Sequence, residues 1–267
     1  MGSSRRWTRV TAATRGLAVV LGCWGCPGPG GAAEITILLN QSTASGVREL
    51  ARGFEQASGH RVDVDLERAD ALKEKLAAGA PADLVSLFDE EFGSLVTSGR
   101  VIAGSVVGYA RVFNGVAIRA GAPRPDISTP AAFTRAMLDA RSIGHTMIGT
   151  GPFNTRLFQR LGIYETIRDR IRIVPPGTPV AQAVARGDVD IGIQQANVIQ
   201  PWPGTDYLGP LPADLIEYGH AGVGLLAVSR EPEAARAFIA FMTDPANADL
   251  LRKGSMEPPG VDPGQRS

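Results

Sequence analysis

The chain has two cysteines in 267 residues, and both, Cys23 and Cys26, lie within its first 33. A chain cut after Ala33 would contain none. A disulfide framework and a cysteine-based metal or redox centre are therefore excluded for that form. Other signatures are missing too: no G-x-S-x-G elbow, no G-x-x-x-x-G-K-[ST] phosphate loop and no H-E-x-x-H zinc helix. The three histidines, His60, His145 and His220, are far apart and have no ligand spacing. No metal or cofactor is expected. No run after the leader approaches the roughly 20 apolar residues of a membrane span. Excess positive charge is also lacking. The leader carries four of the 27 basic residues and none of the 27 acidic ones, so the remainder has a balance of −4. That argues against a nucleic-acid partner.

The first 33 residues have the form of an export signal. Arg5, Arg6, Arg9 and Arg15 precede the apolar Leu17 to Leu21 and the small-residue exit Gly31-Ala32-Ala33. Val20-Leu21-Gly22-Cys23 loosely matches a lipoprotein cleavage box, which would leave an acylated tether at Cys23. Ordinary export to the periplasm with cleavage after Ala33 is the favoured reading. The remaining 234 residues suffice for one large or two modest domains. Residues 259–267 are rich in proline and glycine and are expected to form a disordered tail.

The chain is organised around Ile35-Thr36-Ile37-Leu38-Leu39-Asn40-Gln41-Ser42-Thr43-Ala44-Ser45-Gly46. The apolar run reads as a strand buried on both faces. A polar turn follows, and Val47, Leu50, Ala51 and Phe54 at helical spacing predict a helix from about Gly46. Backbone N–H groups at such a helix start, with the Ser42 and Thr43 hydroxyls beside them, suit an anion or a small polar molecule. Equally, Ser45 could cap the helix and nothing more. Strand-like runs recur near residues 60–66, 82–87, 142–148, 171–174 and 190–194, with helices of about ten residues between them. Alternation of this kind implies crossover units and a mostly parallel sheet. Extended text near 106–114 and 213–221 would join two α/β halves, giving lobe 1 (34–110 plus 218–258) and lobe 2 (111–217). The cleft should lie beyond the carboxyl ends of the strands. Polar turns at Ser42, Arg68, Thr150 and Gln194 follow strands directly and should converge there.

Several stretches together resemble the type II periplasmic solute-binding proteins of the molybdate-binding kind. They are Ile35 to Ser42 before an amphipathic helix, Phe54-Glu55-Gln56-Ala57-Ser58-Gly59, Gly79-Ala80-Pro81-Ala82-Asp83-Leu84, Leu161-Gly162 and Ala185-Arg186-Gly187-Asp188-Val189-Asp190-Ile191-Gly192. The resemblance implies an α/β fold of two lobes, each a mixed, mostly parallel sheet flanked by helices. It also implies a monomer that delivers a small anion to the membrane subunits of an ABC-type importer. By position it places Ser42 on the first ligand serine, Thr150 on a backbone donor beside Gly151, and Val180 on another at a helix start.

Two positions depart from that pattern. Ala69, between Arg68 and Asp70, stands where the family has a second ligand serine, and Gln195 stands where it often has a tyrosine. A carboxylate beside a divalent oxyanion is unfavourable, by about 4 kcal/mol per unit charge pair at ~4 Å and an effective dielectric of ~20. Arg68 instead suits a carboxylate, which a guanidinium can grip with two hydrogen bonds. The expected ligand is an oxyanion or a small di- or tricarboxylate. The rival reading is a periplasmic isomerase of an unsaturated, aconitate-like acid on the same scaffold, with Asp70 or a histidine as base.

Overall fold

A computed structural model describes residues 31–260, apart from Pro176 and Pro201. The leader with Cys23 and Cys26, and the tail from Val261, lie outside the described residues. The first elements are β1 (Glu34–Asn40), α1 (Gln41–Ser58), β2 (Arg61–Glu67), α2 (Ala69–Ala78), β3 (Leu84–Phe88), α3 (Phe92–Thr97) and β4 (Val107–Val112). There follow β5 (Asn114–Arg119), α4 (Pro130–Asp139), β6 (Ile143–Thr146), α5 (Thr150–Arg160), α6 (Tyr164–Ile167), β7 (Ile171–Val174), α7 (Val180–Arg186), β8 (Ile191–Gln195), α8 (Ala196–Ile199) and β9 (Thr205–Pro210). β10 (Gly219–Leu225), α9 (Pro232–Thr243) and α10 (Ala248–Lys253) close the chain.

The strands form two five-stranded sheets, in the orders β2-β1-β3-β10-β4 and β7-β6-β8-β5-β9. In each sheet the first three strands are parallel and the fourth and fifth run as an antiparallel pair. The fourth strand is in both cases the one that has just crossed from the other half. Only Phe113 separates β4 from β5, while residues 211–218 carry the chain back from β9 to β10. This is the two-lobe, mixed and mostly parallel architecture that the alternating pattern implied.

Each lobe has its own core. Ile35, Ile37 and Leu39 of β1 pack with Val47, Leu50 and Phe54 of α1 and with Phe238 of α9. Leu38 enters a separate cluster under α2 and α3, so β1 is buried on both faces, as its unbroken apolar run requires. In the second lobe Val116, Phe133, Met137, Ile143, Phe158 and Ile193 form the equivalent core. Asp83 ties the first lobe together. It is buried and accepts hydrogen bonds from Thr36 N–H (2.9 Å), the Ser229 hydroxyl (2.7 Å), Arg230 N–H (2.9 Å) and Glu231 N–H (3.0 Å). Burial alone would raise its pKa, but these donors outweigh it and hold the carboxyl below the usual range.

Among the elements that differ from the sequence expectation, two have clear physical reasons. α1 starts at Gln41, not near Gly46, because Asn40 caps it: its side chain accepts the Ser42 N–H at 2.9 Å. The hydroxyl-rich stretch is thus the helix's first turn rather than a loop before it, and Ser45 is no cap. Its hydroxyl donates to Gly254 O at 2.8 Å. β9 gave no strand signal, since TDYLGP lacks alternation and ends in Gly-Pro. It lies at a sheet edge, where proline is tolerated.

Candidate functional site

The carboxyl ends of the parallel strands bring the candidate residues to one side of each sheet. In the first lobe these are Asn40, Arg68 and Asp89, and in the second Thr146, Pro175 and Gln195. Helices α1, α2 and α5 start within a few residues of such strand ends, and so does α7. Their N-terminal ends carry partial positive charge at those strand ends.

Side-chain hydrogen bonds join the α8 segment to the first lobe, among them Ser255 Oγ to Gln200 Oε1 at 2.7 Å. Asn197, at the start of α8, donates from Nδ2 to the Ser42 carbonyl at 2.8 Å. Asn197 is buried, and its Oδ1 has no hydrogen-bond partner among the described residues. Beside it, Ala196 N–H donates to Phe113 O at 2.8 Å, which anchors α8 to the crossing strand. Ser42 is half-buried at the α1 N-terminus. Thr43 is withdrawn. Its side chain is fully buried near Tyr109, whose hydroxyl meets Ser86 Oγ at 2.9 Å. The Thr43 hydroxyl is therefore not exposed at the α1 N-terminus. Burial pushes the Tyr109 phenol well up, so it stays neutral.

In the second lobe Thr150 opens α5 after Gly149, which has φ 66°. The Thr150 and Thr146 hydroxyls lie 3.2 Å apart. Gly151 is required sterically, because a Cβ there would lie 1.8 Å from Thr146 O. His145 is buried beneath this turn, its Nδ1 2.8 Å from Thr146 O. Burial lowers its pKa, with the Thr146 carbonyl opposing, so its neutral form is favoured. The Val180 N–H, expected as a ligand donor, is occupied: Gln194 Oε1 accepts it at 2.9 Å. Gln194 therefore shapes the α7 N-terminus, and a ligand would have to displace it to reach that donor. Gln195 is half-buried at the start of α8.

Arg68, Ala69 and Asp70 form the exposed N-terminus of α2. Arg68 Nη2 donates to Asp70 Oδ2 at 3.2 Å, and both side chains are about two-thirds exposed. The Ala71 N–H and then the Arg68 charge hold the Asp70 carboxyl below its usual range. An ionised, weakly basic Asp70 makes a poor proton acceptor. His60 is also ill placed as a base. It lies at the opposite end of the first sheet, accepting from Ala33 N–H at 3.0 Å and stacking on Phe54. A cavity of about 570 Å³ runs between α2 and α3 from Asn40 and Ala69, and its lining comes wholly from the first lobe. Sequence reasoning missed Asn40 and Asn197. Asn40 could have been found as an N-cap immediately before Gln-Ser-Thr. Asn197 has no local signal, because its role depends on the approach of the two lobes.

The profile described as bacterial extracellular solute-binding protein matches residues 35–257. A protein of Pseudomonas sp. named aconitate isomerase is 29% identical over 235 residues, covering 86% of this chain and 89% of that protein. The molybdate-binding protein ModA of Rhodobacter capsulatus is 23% identical over 231 residues, covering 84% and 88%. Among solved structures, the Azotobacter vinelandii periplasmic molybdate-binding protein aligns with a TM-score of 0.65 at 18% identity, covering 83% of this chain and 98% of that one.

Proposed function

The chain belongs to the bacterial extracellular solute-binding proteins, and on that basis we propose that it binds a small polycarboxylate between its lobes and isomerises it as an unsaturated acid of the aconitate class. The general role, holding a small anionic solute outside the cytoplasm, comes with the family. The finer reading is carried by the likeness to the aconitate isomerase over nearly the full length of both proteins. The chemistry at the α2 N-terminus supports it. Where a bare oxyanion would meet hydroxyls, this chain has Ala69 between an exposed guanidinium and a carboxylate. Such a site accepts a carboxylate through Arg68 and repels a compact dianion through Asp70.

Moving a double bond along an allylic unit needs a group that removes one carbon-bound proton and a group that supplies one. It needs no oxidant. The lobes supply what remains: closure excludes water, and helix N-termini hold the carboxylates. The test is proton NMR of trans-aconitate with the protein in deuterated buffer. Deuterium at the methylene and vinyl positions, with the cis isomer appearing, is the expected result. Binding of aconitate without exchange over hours overturns it.

The likeness to the Rhodobacter molybdate-binding protein keeps a second reading in place, a pure binding protein serving an importer. Among the described residues no helix is long and apolar enough to cross a membrane, so under this reading transport requires separate membrane subunits. A thermal shift with molybdate and none with aconitate would favour it.

A further inference from the structure

Three charged or titratable side chains form a row across the cleft-side edge of the first sheet. Ala221 of β10 pairs with Phe88, the last residue of β3, and Asp89 follows at once in a short 3-10 turn, close enough to His220 to feel its charge. On its other side His220 pairs with Arg111 of β4. Alternation along β10 fixes the face. Ala221, Val223 and Leu225 enter the core under α1 and α9, so His220 and Gly222 point the other way. Asp89 shares that face: its Oδ1 lies 2.8 Å from where a Cβ on Gly222 would stand, and Oδ2 lies 4.0 Å from the equivalent point on Gly108. Glycine at position 222 thus leaves room for the carboxylate to lie against the sheet. Asp89 and His220 are both exposed.

Arg111 gives this row a fixed positive charge. Its guanidinium lies 4.3 Å over the Tyr218 ring, and its Nε and Nη2 are buried with no hydrogen-bond acceptor among the described residues. The other charged groups nearby are Glu90, next to Asp89, and the buried Glu257, whose backbone pairs with that of Arg111. Desolvation raises the Asp89 pKa, the His220 charge opposes this and Glu90 adds to it. A carboxyl shifted upward is a better proton acceptor than Asp70.

We propose that Asp89 and His220 are the acid–base pair of the cleft, an inference that rests on the isomerase reading. Asp89 takes a proton from the methylene carbon of the bound acid, and the C–H electron pair becomes the new carbon–carbon double bond. The electrons of the old double bond shift toward the adjacent carboxylate, stabilised by the Arg111 charge. His220, carrying a proton, delivers it to the far carbon of the allylic unit. Both side chains are exposed, so Asp89 then loses its proton to solvent and His220 regains one from it, with no net oxidation.

The experiment compares D89N and H220Q with the unaltered protein, using deuterium incorporation into trans-aconitate and the aconitate-induced thermal shift. Each variant should lose exchange by about 100-fold or more while keeping the thermal shift, because both side chains are exposed and neither supports the core. The pH–rate profile should lose its acid limb in D89N. If the unaltered protein exchanges and both variants match it, the assignment is overturned while the isomerase reading stands. If the unaltered protein itself shows no exchange, the isomerase reading falls and the proton-transfer role falls with it.

Discussion

The two lobes share one topology but present different chemistry at the edge where they meet. Each has three parallel strands, then an antiparallel strand arriving from the other half, then an edge strand. The first lobe brings charge to that edge: Arg68 and Asp70 at α2, His220 and Arg111 paired on β10 and β4, and Asp89 just past the end of β3. The second lobe brings neutral donors and acceptors instead, namely the Thr146 and Thr150 hydroxyls, Gln194, Gln195 and Asn197. A common scaffold thus divides the work. On the proposed reading, charge selection would sit on one side, facing a neutral surface that adds no second field.

The largest expected effect tests whether the α5 start in the second lobe and the α1 helix in the first tolerate an added side chain equally. Gly151→Ala drives a Cβ into the Thr146 carbonyl, a backbone atom that cannot swing aside. The loss should reach or exceed the roughly 3 kcal/mol upper end of ordinary overpacking. Gly46→Ala in α1 meets the Met256 sulfur at 2.4 Å, the end of a flexible side chain, and should cost only about 1 kcal/mol. Urea unfolding of both variants measures the difference. Equal losses would mean that the second lobe's turn is no stiffer than the first lobe's helix.

Next comes Asp83→Ala, which leaves four donors in the first lobe without their acceptor and should cost about 3 kcal/mol. Its folded pKa is depressed, so the stabilisation is fully present above the unfolded carboxyl value near ~3.9 and fades as pH falls through the folded value. Denaturant curves between neutral pH and pH 3 should therefore steepen toward acid in the unaltered protein and flatten in the variant. A variant with an unchanged acid limb would assign that limb to other carboxyls.

Much of this architecture was legible in the sequence, and what was missed has a pattern. Buried strands showed as unbroken apolar runs, and most helices as apolar periodicity closed by glycine, as at Gly59, Gly79 and Gly187. Those signals are local. The start of α1 was misplaced because the hydroxyls of Ser42, Thr43 and Ser45 looked like a loop, while the deciding contact is one Asn40 hydrogen bond. The family resemblance implies Val180 as a donor, and its occupation by Gln194 has no local signal because that side chain comes from a strand 14 positions away. The Asp89–His220–Arg111 row could not be read at all, since it depends on the register of three strands far apart in the chain.

Charge on the first lobe is tested by Arg68→Ala. The exposed Arg68–Asp70 pair should contribute little to stability, because solvent screens it. Loss of a guanidinium grip on a carboxylate should still weaken aconitate binding about tenfold, as read by titration calorimetry. An unchanged affinity would remove Arg68 from the site and, with it, the argument that this lobe selects carboxylates.

The smallest effect falls on the neutral side and separates a lobe that binds from a lobe that merely closes. Asn197→Ala deletes the hydrogen bond to the Ser42 carbonyl, a contact made entirely by protein atoms. If closure is what the second lobe contributes, losing about 1 kcal/mol of closed-state contact should weaken every ligand alike by about fivefold. The variant's affinity for aconitate relative to malate or citrate should then stay constant, with the loss appearing in the dissociation rate. If Asn197 instead uses its unpartnered Oδ1 to recognise the ligand, the ratio between those acids will change. In that case discrimination is shared between the lobes, and the division between a charged selector and a neutral lid no longer holds.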